Sequence, residues 1–442
     1  MALGMSSASL RQPKDRHRPT LPPATMGSQA THPIIPSPRT TLLPGLSQSD
    51  VQNLPYPPDA LPGARDVESP YGTFRVHEWG PEGGQKVLMV HGISTPLVAF
   101  APIARLLVAR GYRVMLFDLF GRGYSDGPSD LPHDSRLYTT QILLALQSSP
   151  LSWMGSKTNT FHLLGYSFGG GISADFASYF PHLVSSLVLI APGGIVRDTH
   201  VTWKSKLLYH TRGLLPDSLV HWLVSRRLHT PQSSNDPASA KPESSVIDTA
   251  AQAETGGGNH HSHPATNTDP YHPSNAPPPK QQQQQQPRPI HLLPNRPNVT
   301  VTNTVNWQLA HHPGFVPAFV SSIRHGPIHN QHHRWRILGA HLSARKALDG
   351  REDPVVRRVD SDKGEVLVLL GAEDPIVLVD ELSGDAEAVL GRGNVVLRVF
   401  GTGHELPMSC SGECVEAMVE FWEGKGVGVG EMVEIEGEKV GL

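Results

Sequence analysis

The sequence is poor in cysteine, in long apolar runs and in charge of either sign. Its only two cysteines, Cys410 and Cys414, lie four positions apart in a predicted helix, where a disulfide is geometrically disfavoured. We therefore expect two free thiols in a reducing compartment. No run of 18 apolar residues occurs, and residues 1–20 contain no apolar core. These absences argue against a membrane-spanning helix and a secretory signal, so we expect an intracellular, cytoplasmic protein; a mitochondrial transit peptide stays an open alternative.

Nucleic acid, nucleotides and metals are also not indicated. The formal net charge is −3, without the basic excess that nucleic-acid binding needs. The segment "GRGYSDG" (121–127) has Asp126 where a dinucleotide-binding fingerprint needs its third glycine, and no phosphate-binding G-x-x-x-x-G-K-[S/T] sequence occurs. The histidine pairs 260–261, 311–312 and 332–333 do not have the spacing of a metal site. We expect no cofactor, no metal ion and no nucleic-acid partner.

Glycine and proline are abundant and unevenly distributed. There are 42 glycines and 41 prolines, while charged residues are only 17% of the chain, so we expect part of it not to fold. Residues 1–67 contain twelve prolines and one aromatic residue, Tyr56, and we expect disorder there apart from about the last dozen residues. Residues 231–297 contain thirteen prolines and six consecutive glutamines, which predicts a disordered low-complexity loop. Residues 427–442 form a Gly/Glu-rich tail.

Short apolar runs alternate with helical patterns over most of the remaining chain. The predicted buried strands are 86–92, 112–118, 161–167, 183–192, 364–371 and 394–401. Apolar residues at helical spacing predict helices over 96–111, 138–147, 169–180, 376–390 and 410–424. Strands that alternate with helices predict an α/β fold, with a mostly parallel sheet flanked by helices. Residues 71–80 suit a strand near the edge of that sheet.

A long insertion separates the fourth and fifth of these buried strands. It divides the sheet domain into residues 68–196 and 358–426, with the insertion itself at 197–357. Its segments 203–228 and 304–325 carry apolar residues at helical spacing. We therefore predict a helical cap inserted into the α/β domain, with the low-complexity loop projecting from it.

One serine lies in a glycine-rich transition from a strand to a helix. The segment Gly165-Tyr166-Ser167-Phe168-Gly169 fits G-x-S-x-G in the strand-to-helix context that this motif requires. The small residues on either side let the strand and the helix pass close together, and the serine sits in a strained turn. The N–H of Phe168 would then face a developing oxyanion at the helix start. The alternative is an ordinary flexible glycine-rich turn.

Three further motifs follow other predicted strands. "HGIS" (91–94) can supply a second oxyanion donor from the N–H of Ile93. "AEDPIV" carries Asp374 after the fifth buried strand, and "GTGHELP" carries His404 after the sixth. The active sites of open α/β sheets lie at the carboxyl ends of the strands. All three segments are therefore expected at the same edge of the sheet as Ser167.

These motifs together resemble those of the α/β-hydrolase fold family, in particular its capped esterases, lipases and peptidases. The similarity covers the two sheet segments, which are under half of the chain, and rests on "HGIS", "FDLFGRGYSD", "GYSFGG", "GAEDPIV" and "GTGHELP". The resemblance implies that Ser167 is the nucleophile, His404 the general base, and Asp374 the residue that orients His404. It also implies that the N–H groups of Ile93 and Phe168 form the oxyanion hole.

Several of these residues have competing interpretations. Glu373 and Asp380 are alternatives to Asp374. We interpret His91 as a support for the oxyanion turn. Asp118, Arg122 and Asp126, within the segment 117–126, are interpreted as hydrogen-bond partners that fix a loop, and they are given no chemical role.

The resemblance implies a serine hydrolase that forms an acyl-enzyme and cleaves a hydrophobic carboxylic ester, such as a monoacylglycerol-like lipid. An amidase or peptidase of the same fold is an alternative, and so is a non-catalytic small-molecule receptor. The apolar residues of the cap favour an apolar substrate. An alternative role for the cap is peripheral membrane contact, with Arg226 and Arg227 near the lipid headgroups. The sequence predicts no oligomeric state.

Overall fold

The computed structural model describes residues 32–154, 160–197, 209, 215–229, 289–349 and 364–424. In these parts the chain alternates strands and helices around one central sheet. Residues 1–31, residues 231–288 of the predicted low-complexity loop and the Gly/Glu-rich tail lie outside the described residues, so the expectations for them stay predictions.

The central sheet is mostly parallel. In chain order the strands are β1 (Ile34–Ile35), β2 (Ala64–Val67), β3 (Phe74–Trp79), β4 (Lys86–Val90), β5 (Arg113–Phe117), β6 (Gly127–Pro128), β7 (Phe161–Tyr166), β8 (Val184–Ile190), β9 (Val366–Gly371) and β10 (Val395–Phe400). The short strands β1 and β6 pair with each other, and the other eight form one sheet in the order β10-β9-β8-β7-β4-β5-β3-β2. Within this sheet only β3, the second strand from one edge, runs in the opposite direction, and it pairs antiparallel with both β2 and β5. The predicted α/β fold is confirmed.

The strands in the middle of the sheet are buried along their whole length. Every residue of β7, β8 and β9 is buried. Helices cover both faces of a parallel sheet, so its strands read as continuous apolar runs and show no alternation with polar residues. This is why these three strands could be predicted from sequence.

Helices flank the sheet and form the cap. In chain order they are α1 (Pro38–Thr41), α2 (Gln48–Gln52), α3 (Ala101–Ala109), α4 (Ser135–Gln147), α5 (Phe168–Tyr179), α6 (Asp217–Leu228), α7 (Val301–His311), α8 (Phe315–His325), α9 (His332–Asp349), α10 (Val379–Leu390), α11 (Leu406–Ser409) and α12 (Ser411–Glu423). Asp134 caps the N-terminus of α4, because its carboxylate accepts the N–H groups of Arg136 and Leu137. The first predicted helix is a 3-10 turn, Leu97–Phe100, followed by α3.

The segment before the sheet is ordered over a longer stretch than predicted. Residues 32–67 lie against the domain, so the expected disorder is wrong for them, and only residues 1–31 keep it as a prediction. The N–H of Ser37 donates to the carboxylate of Asp126 at 2.8 Å, and the buried hydroxyl of Tyr56 donates to that of Asp118 at 3.0 Å. Prolines lower the entropy of the unfolded chain, so a few buried anchors suffice to hold such a segment.

The predicted helical segment 304–325 is two helices. Pro313 has no N–H with which to continue α7, and the chain turns there before α8 begins. The ring of His312 stabilises the turn, because its Nδ1 accepts the N–H of Gly314 at 3.1 Å. Its Nε2–H donates to the carbonyl of Ser125 at 3.0 Å, which ties the turn to the sheet domain.

Helix α9 was not predicted, and it packs on the sheet domain although it lies in the predicted cap insertion 197–357. The guanidinium of Arg334 lies 4.1 Å from the ring centre of Tyr179 on α5. The amide of Asn394, just before β10, donates to the hydroxyl of Ser343 at 2.8 Å. The boundary at 357 therefore lies too far along the chain. Basic residues at the start of α9 obscured the buried stripe Trp335, Leu338 and Leu342.

The two cysteines are free thiols, as expected. Cys414 is buried in α12, and burial raises the pKa of its thiol. Among the helices of the described residues, none is long and apolar enough to cross a membrane.

Candidate active site

Ser167 lies between β7 and α5 in a backbone conformation that side chains rarely adopt. Its φ is 52° and its ψ is −121°. A Cβ atom at Gly169 would collide with the carbonyl of Val90 on the neighbouring strand, and a Cβ atom at Gly165 would collide with the carbonyl of Gly169. The two glycines of the motif are thus required by the close approach of strand and helix, which holds the serine in its strained turn.

The structure brings together three residues that are far apart in the chain. The Nε2 of His404 lies 2.9 Å from the Oγ of Ser167. The Nδ1 of the same ring lies 2.7 Å from the Oδ2 of Asp374. All three side chains are buried. A serine, an imidazole and a carboxylate in this order can pass a proton from the hydroxyl to the imidazole while the carboxylate holds the ring in place.

Asp374 is distinguished from its two competitors by burial and by its hydrogen bonds. Its second carboxylate oxygen, Oδ1, accepts the N–H groups of Ile376 at 2.9 Å and Val377 at 3.0 Å. Glu373 and Asp380 are both exposed. Asp374 is therefore the acidic residue that the fold places against His404.

Both predicted oxyanion donors belong to segments that adjoin Ser167. Phe168 is the first residue of α5, where backbone N–H groups have no partner within the helix. Gly92, next to Ile93, approaches closely, because a Cβ atom there would lie 3.5 Å from the Cβ of Ser167. Within the described residues, neither the N–H of Ile93 nor that of Phe168 donates to a protein acceptor. Both remain available to a ligand oxygen.

His91 holds the loop that carries Ile93. Its Nε2 accepts the N–H of Leu119 at 2.9 Å, so its Nδ1 carries the proton and donates to the carbonyl of Gly92 at 2.7 Å. Complete burial lowers the pKa of His91 to about 3, which keeps the ring neutral. These bonds support the interpretation that His91 stabilises the turn.

The segment 117–126 fixes neighbouring loops, as interpreted from the sequence. The buried carboxylate of Asp118 accepts the N–H groups of Leu97 and Tyr124, each at 3.0 Å. Burial raises the pKa of Asp118 to about 6. Arg122 is fully buried, and its Nε donates to the carbonyl of Ile93 at 3.2 Å.

Sequence reasoning missed a third side chain that holds the 91–95 loop. The side chain of Gln308, on α7, donates to the carbonyl of Ser94 at 2.8 Å and accepts the N–H of Gly123 at 2.9 Å. Gln308 is fully buried. No motif marks this glutamine, since its partners are backbone groups 214 and 185 positions away in the chain.

The cap helix α6 has one buried and one exposed apolar face. Val220, Val224 and Leu228 are buried, whereas Leu219 and Trp222 are 41% and 54% exposed. The third member of the exposed face, Leu223, is 36% exposed. The guanidinium of Arg226 lies 5.6 Å from the ring centre of Trp222.

In the described part of the chain no group of three or more His, Cys, Asp or Glu side chains is placed so that it could hold a metal ion. The histidine pair 260–261 lies outside the described residues.

Comparison with known proteins agrees with the architecture. The sequence pattern of the family described as "alpha/beta hydrolase fold" matches residues 86–409. A serine hydrolase-like protein of Dictyostelium discoideum is 34% identical over 120 residues, which are 27% of this chain and 32% of that protein. A monoacylglycerol lipase of Xenopus laevis is 28% identical over 149 residues, 33% of this chain and 41% of that protein. The chain spans about a third to two fifths of these curated relatives.

The chain also aligns with the solved structure of a meta-cleavage product hydrolase from Pseudomonas fluorescens. The alignment covers 82% of this chain and 98% of that one, with a TM-score of 0.47 and 16% identity.

Proposed function

The chain belongs to the family of proteins with the alpha/beta hydrolase fold, and we propose that it is a serine hydrolase that cleaves a hydrophobic carboxylic ester. The observation that carries the proposal is the pair of contacts that joins Ser167 to His404 at 2.9 Å and His404 to Asp374 at 2.7 Å. Residues in this arrangement make a hydroxyl nucleophilic at neutral pH.

In the first half of the proposed reaction, the Oγ of Ser167 attacks the carbonyl carbon of the ester and its proton passes to the Nε2 of His404. The carboxylate of Asp374 accepts the Nδ1–H and stabilises the imidazolium. The carbonyl oxygen becomes an oxyanion that accepts the N–H groups of Ile93 and Phe168, which act where charge develops.

The tetrahedral intermediate then collapses. The carbon–oxygen bond to the leaving alcohol breaks, and the alcohol takes the proton from the Nε2 of His404. The acyl group stays on the Oγ of Ser167 as an ester. A water molecule repeats the attack with His404 as base, and the acid leaves while Ser167 recovers its proton.

The proposed substrate class is apolar. Phe315, Phe319 and Ile323 of the cap helix α8 are buried with the sheet domain, and the carbonyl of Ile328, just after that helix, accepts the N–H of Gly194 at 2.7 Å. We propose that apolar side chains of the cap such as these contact the acyl or alkyl chain of a bound ester. One relative is named a monoacylglycerol lipase, and an acylglycerol ester is the substrate class we propose for this chain.

We further propose that the exposed face of α6, formed by Leu219, Trp222 and Leu223, contacts a lipid surface where apolar esters are found. Aromatic and aliphatic side chains beside a cation are suited to the boundary between headgroups and acyl chains. Arg226, exposed at the end of the same helix, supplies the charge that attracts anionic headgroups.

The function is tested with p-nitrophenyl esters from acetyl to palmitoyl, comparing the wild type with Ser167→Ala and His404→Ala. We expect turnover in the wild type and loss of turnover in both variants. The acyl length that is hydrolysed fastest measures how long a chain the site accepts. The matched control is Ser173→Ala on the same helix. The hydroxyl of Ser173 is buried and has no hydrogen-bond partner among the described residues, so this variant should remain active.

Other outcomes of the same experiment identify the alternatives. A folded wild type that turns over amides and no ester is an amidase or peptidase. A folded wild type that reacts with a serine-directed fluorophosphonate but turns over neither class is a receptor with a hydrolase fold. Either result contradicts the proposed esterase.

A further inference from the structure

Three consecutive carbonyl groups of the 91–95 loop are each held by a buried side chain. The carbonyl of Gly92 accepts from His91 at 2.7 Å, that of Ile93 from Arg122 at 3.2 Å, and that of Ser94 from Gln308 at 2.8 Å. His91 and Arg122 belong to the sheet domain, whereas Gln308 belongs to the cap helix α7. The loop is therefore fixed from both parts of the fold.

Arg122 also connects the loop to the second cap helix. Its guanidinium donates to the hydroxyl of Ser322 on α8 at 2.9 Å and to the hydroxyl of Tyr138 on α4 at 2.8 Å. The hydroxyls of Tyr138 and Ser322 lie 2.8 Å apart. Arg122, Ser322 and Gln308 are all fully buried, so water does not compete for these bonds.

The direction of the Ile93 N–H follows from these contacts. In a trans peptide the C=O and N–H groups point in opposite directions, so holding the carbonyl of Gly92 aims the N–H of Ile93. The carbonyls of Ile93 and Ser94 fix the next two peptide planes, which leaves the loop little freedom to rotate. An oxyanion donor works only when it is held close to the position of the developing charge.

We infer that Gln308 is a positioning residue through which the cap aims the N–H of Ile93 at the oxyanion, and that Arg122 with Ser322 is the second such connection. The inference rests on the proposed function, because it assigns a part in the oxyanion hole to Ile93. It means that the cap contributes to the chemical step as well as to substrate binding.

The test uses Gln308→Met in the full chain. Methionine has nearly the same volume but neither donates to Ser94 nor accepts from Gly123. We expect kcat on the preferred p-nitrophenyl ester to fall by about 10-fold to 100-fold, since small misplacements of catalytic groups have effects of this size. KM should change by less than about threefold, because the oxyanion forms only in the transition state.

A transition-state analogue separates positioning from a general loss of structure. A trifluoromethyl ketone forms a hemiketal with Ser167 whose oxygen is negatively charged and occupies the oxyanion hole. In Gln308→Met its inhibition constant should rise by the same factor by which kcat/KM falls. A merely structural role would lower the melting temperature without this parallel change.

The matched control is Thr304→Val, one turn earlier on the same helix. The hydroxyl of Thr304 is buried and donates to the carbonyls of Thr300 and Pro55, away from the 91–95 loop. This variant should lose stability and keep kcat. If Gln308→Met does not fold, the inference is tested with Ser322→Ala, which removes one hydroxyl from the hydrogen-bond partners of Arg122. We expect kcat of this variant to fall by about threefold to tenfold.

The outcomes distinguish the inference from the proposed function. If the wild type neither turns over any ester nor reacts with a fluorophosphonate, the proposed function is wrong and the inference falls with it. If the wild type is active and folded Gln308→Met keeps the wild-type kcat and analogue affinity, only the inference is overturned. Where Ser322→Ala replaces Gln308→Met in the test, a wild-type kcat and analogue affinity in that variant likewise overturn only the inference.

Discussion

The Nε2 of His404 lies 2.9 Å from the Oγ of Ser167, although the two residues are 237 positions apart in the chain. The sheet explains how they meet. Ser167 follows β7 and His404 follows β10, and these strands are parallel members of one sheet, so their carboxyl ends lie at one edge. Asp374 follows β9, which pairs with β10.

The role of Asp374 is tested by Asp374→Asn. The amide cannot stabilise an imidazolium and allows the wrong tautomer of His404, so we expect kcat to fall by about 10⁴-fold with little change in KM. The measurement is the steady-state hydrolysis of a p-nitrophenyl ester. Glu373→Gln is the control at the adjacent, exposed position and should behave as the wild type. Equal activity of both variants would exclude Asp374 from the proposed site.

The stability of the fold should depend on pH through its buried histidines. Burial lowers the pKa to about 3 for His91, His133 and His162 and to about 4 for His77 and His312. Unfolded histidines take up protons below about pH 6.5, whereas these folded ones do not, so the free energy of unfolding decreases as the pH falls from 6.5 towards 4.

Two buried carboxyl groups oppose this trend. Burial raises the pKa of Asp118 and Asp175 to about 6, so both take up protons in the folded state first and add stability as the pH falls below 6. Five histidines outweigh two carboxyls, and we expect a net loss of about 4 kcal/mol in the free energy of unfolding between pH 6.5 and 5.5. Urea unfolding at the two pH values measures it, and His162→Gln should reduce the loss. A free energy of unfolding that stays constant or rises between pH 6.5 and 5.5 would contradict the conclusion that these histidines are buried in the neutral form.

The anchoring of the N-terminal segment is tested by Tyr56→Phe. The variant leaves the buried carboxylate of Asp118 without the hydroxyl that donates to it at 3.0 Å. We expect the free energy of unfolding to fall by about 1–3 kcal/mol in a urea titration. Asp59→Asn, which breaks an ion pair with Arg296 nearer the surface of the same segment, should cost less than about 1 kcal/mol. A larger loss of stability in Asp59→Asn than in Tyr56→Phe would show that the ion pair near the surface anchors the segment more than the buried hydroxyl does.

The proposed lipid contact is tested by sedimentation with vesicles. Wild-type protein should bind vesicles that contain phosphatidylserine more strongly than neutral phosphatidylcholine vesicles, because of the cation at the end of α6. Trp222→Ala should weaken binding to both kinds, with unchanged turnover of a soluble short-chain ester. Tyr179→Ala, which changes an exposed aromatic residue on α5, is the control and should bind normally. Equal sedimentation of wild type and Trp222→Ala with the vesicles would contradict the proposed contact between α6 and a lipid surface.

The sequence predicted the sheet and the residues at its edge because both leave local signals. Buried parallel strands are continuous apolar runs, and Ser167 is marked by glycines that its turn requires. Gln308 leaves no such signal, since its partners are the backbone groups of Ser94 and Gly123. The position of a side chain against a distant backbone is decided by packing, which no local pattern of the chain records.

The errors have the same physical origin. Residues 32–67 were expected to be mostly disordered from their prolines, yet they are held by a few buried contacts such as that of Tyr56. Helix α9 was missed because its basic residues mask a narrow apolar stripe that includes Trp335. In both segments a small number of buried side chains stabilises the fold. Such residues change the overall composition of a segment very little, so composition does not reveal them.

In the proposed reaction Ser167 carries the acyl group during turnover. The most direct measurement mixes the protein with a p-nitrophenyl ester, quenches the reaction within milliseconds and finds the modified peptide by mass spectrometry. We expect the mass of the acyl group on the peptide that contains Ser167, together with a burst of about one p-nitrophenol per protein molecule. Ester turnover without any acyl adduct on that peptide, or an equal burst in Ser167→Ala, would contradict the proposed reaction.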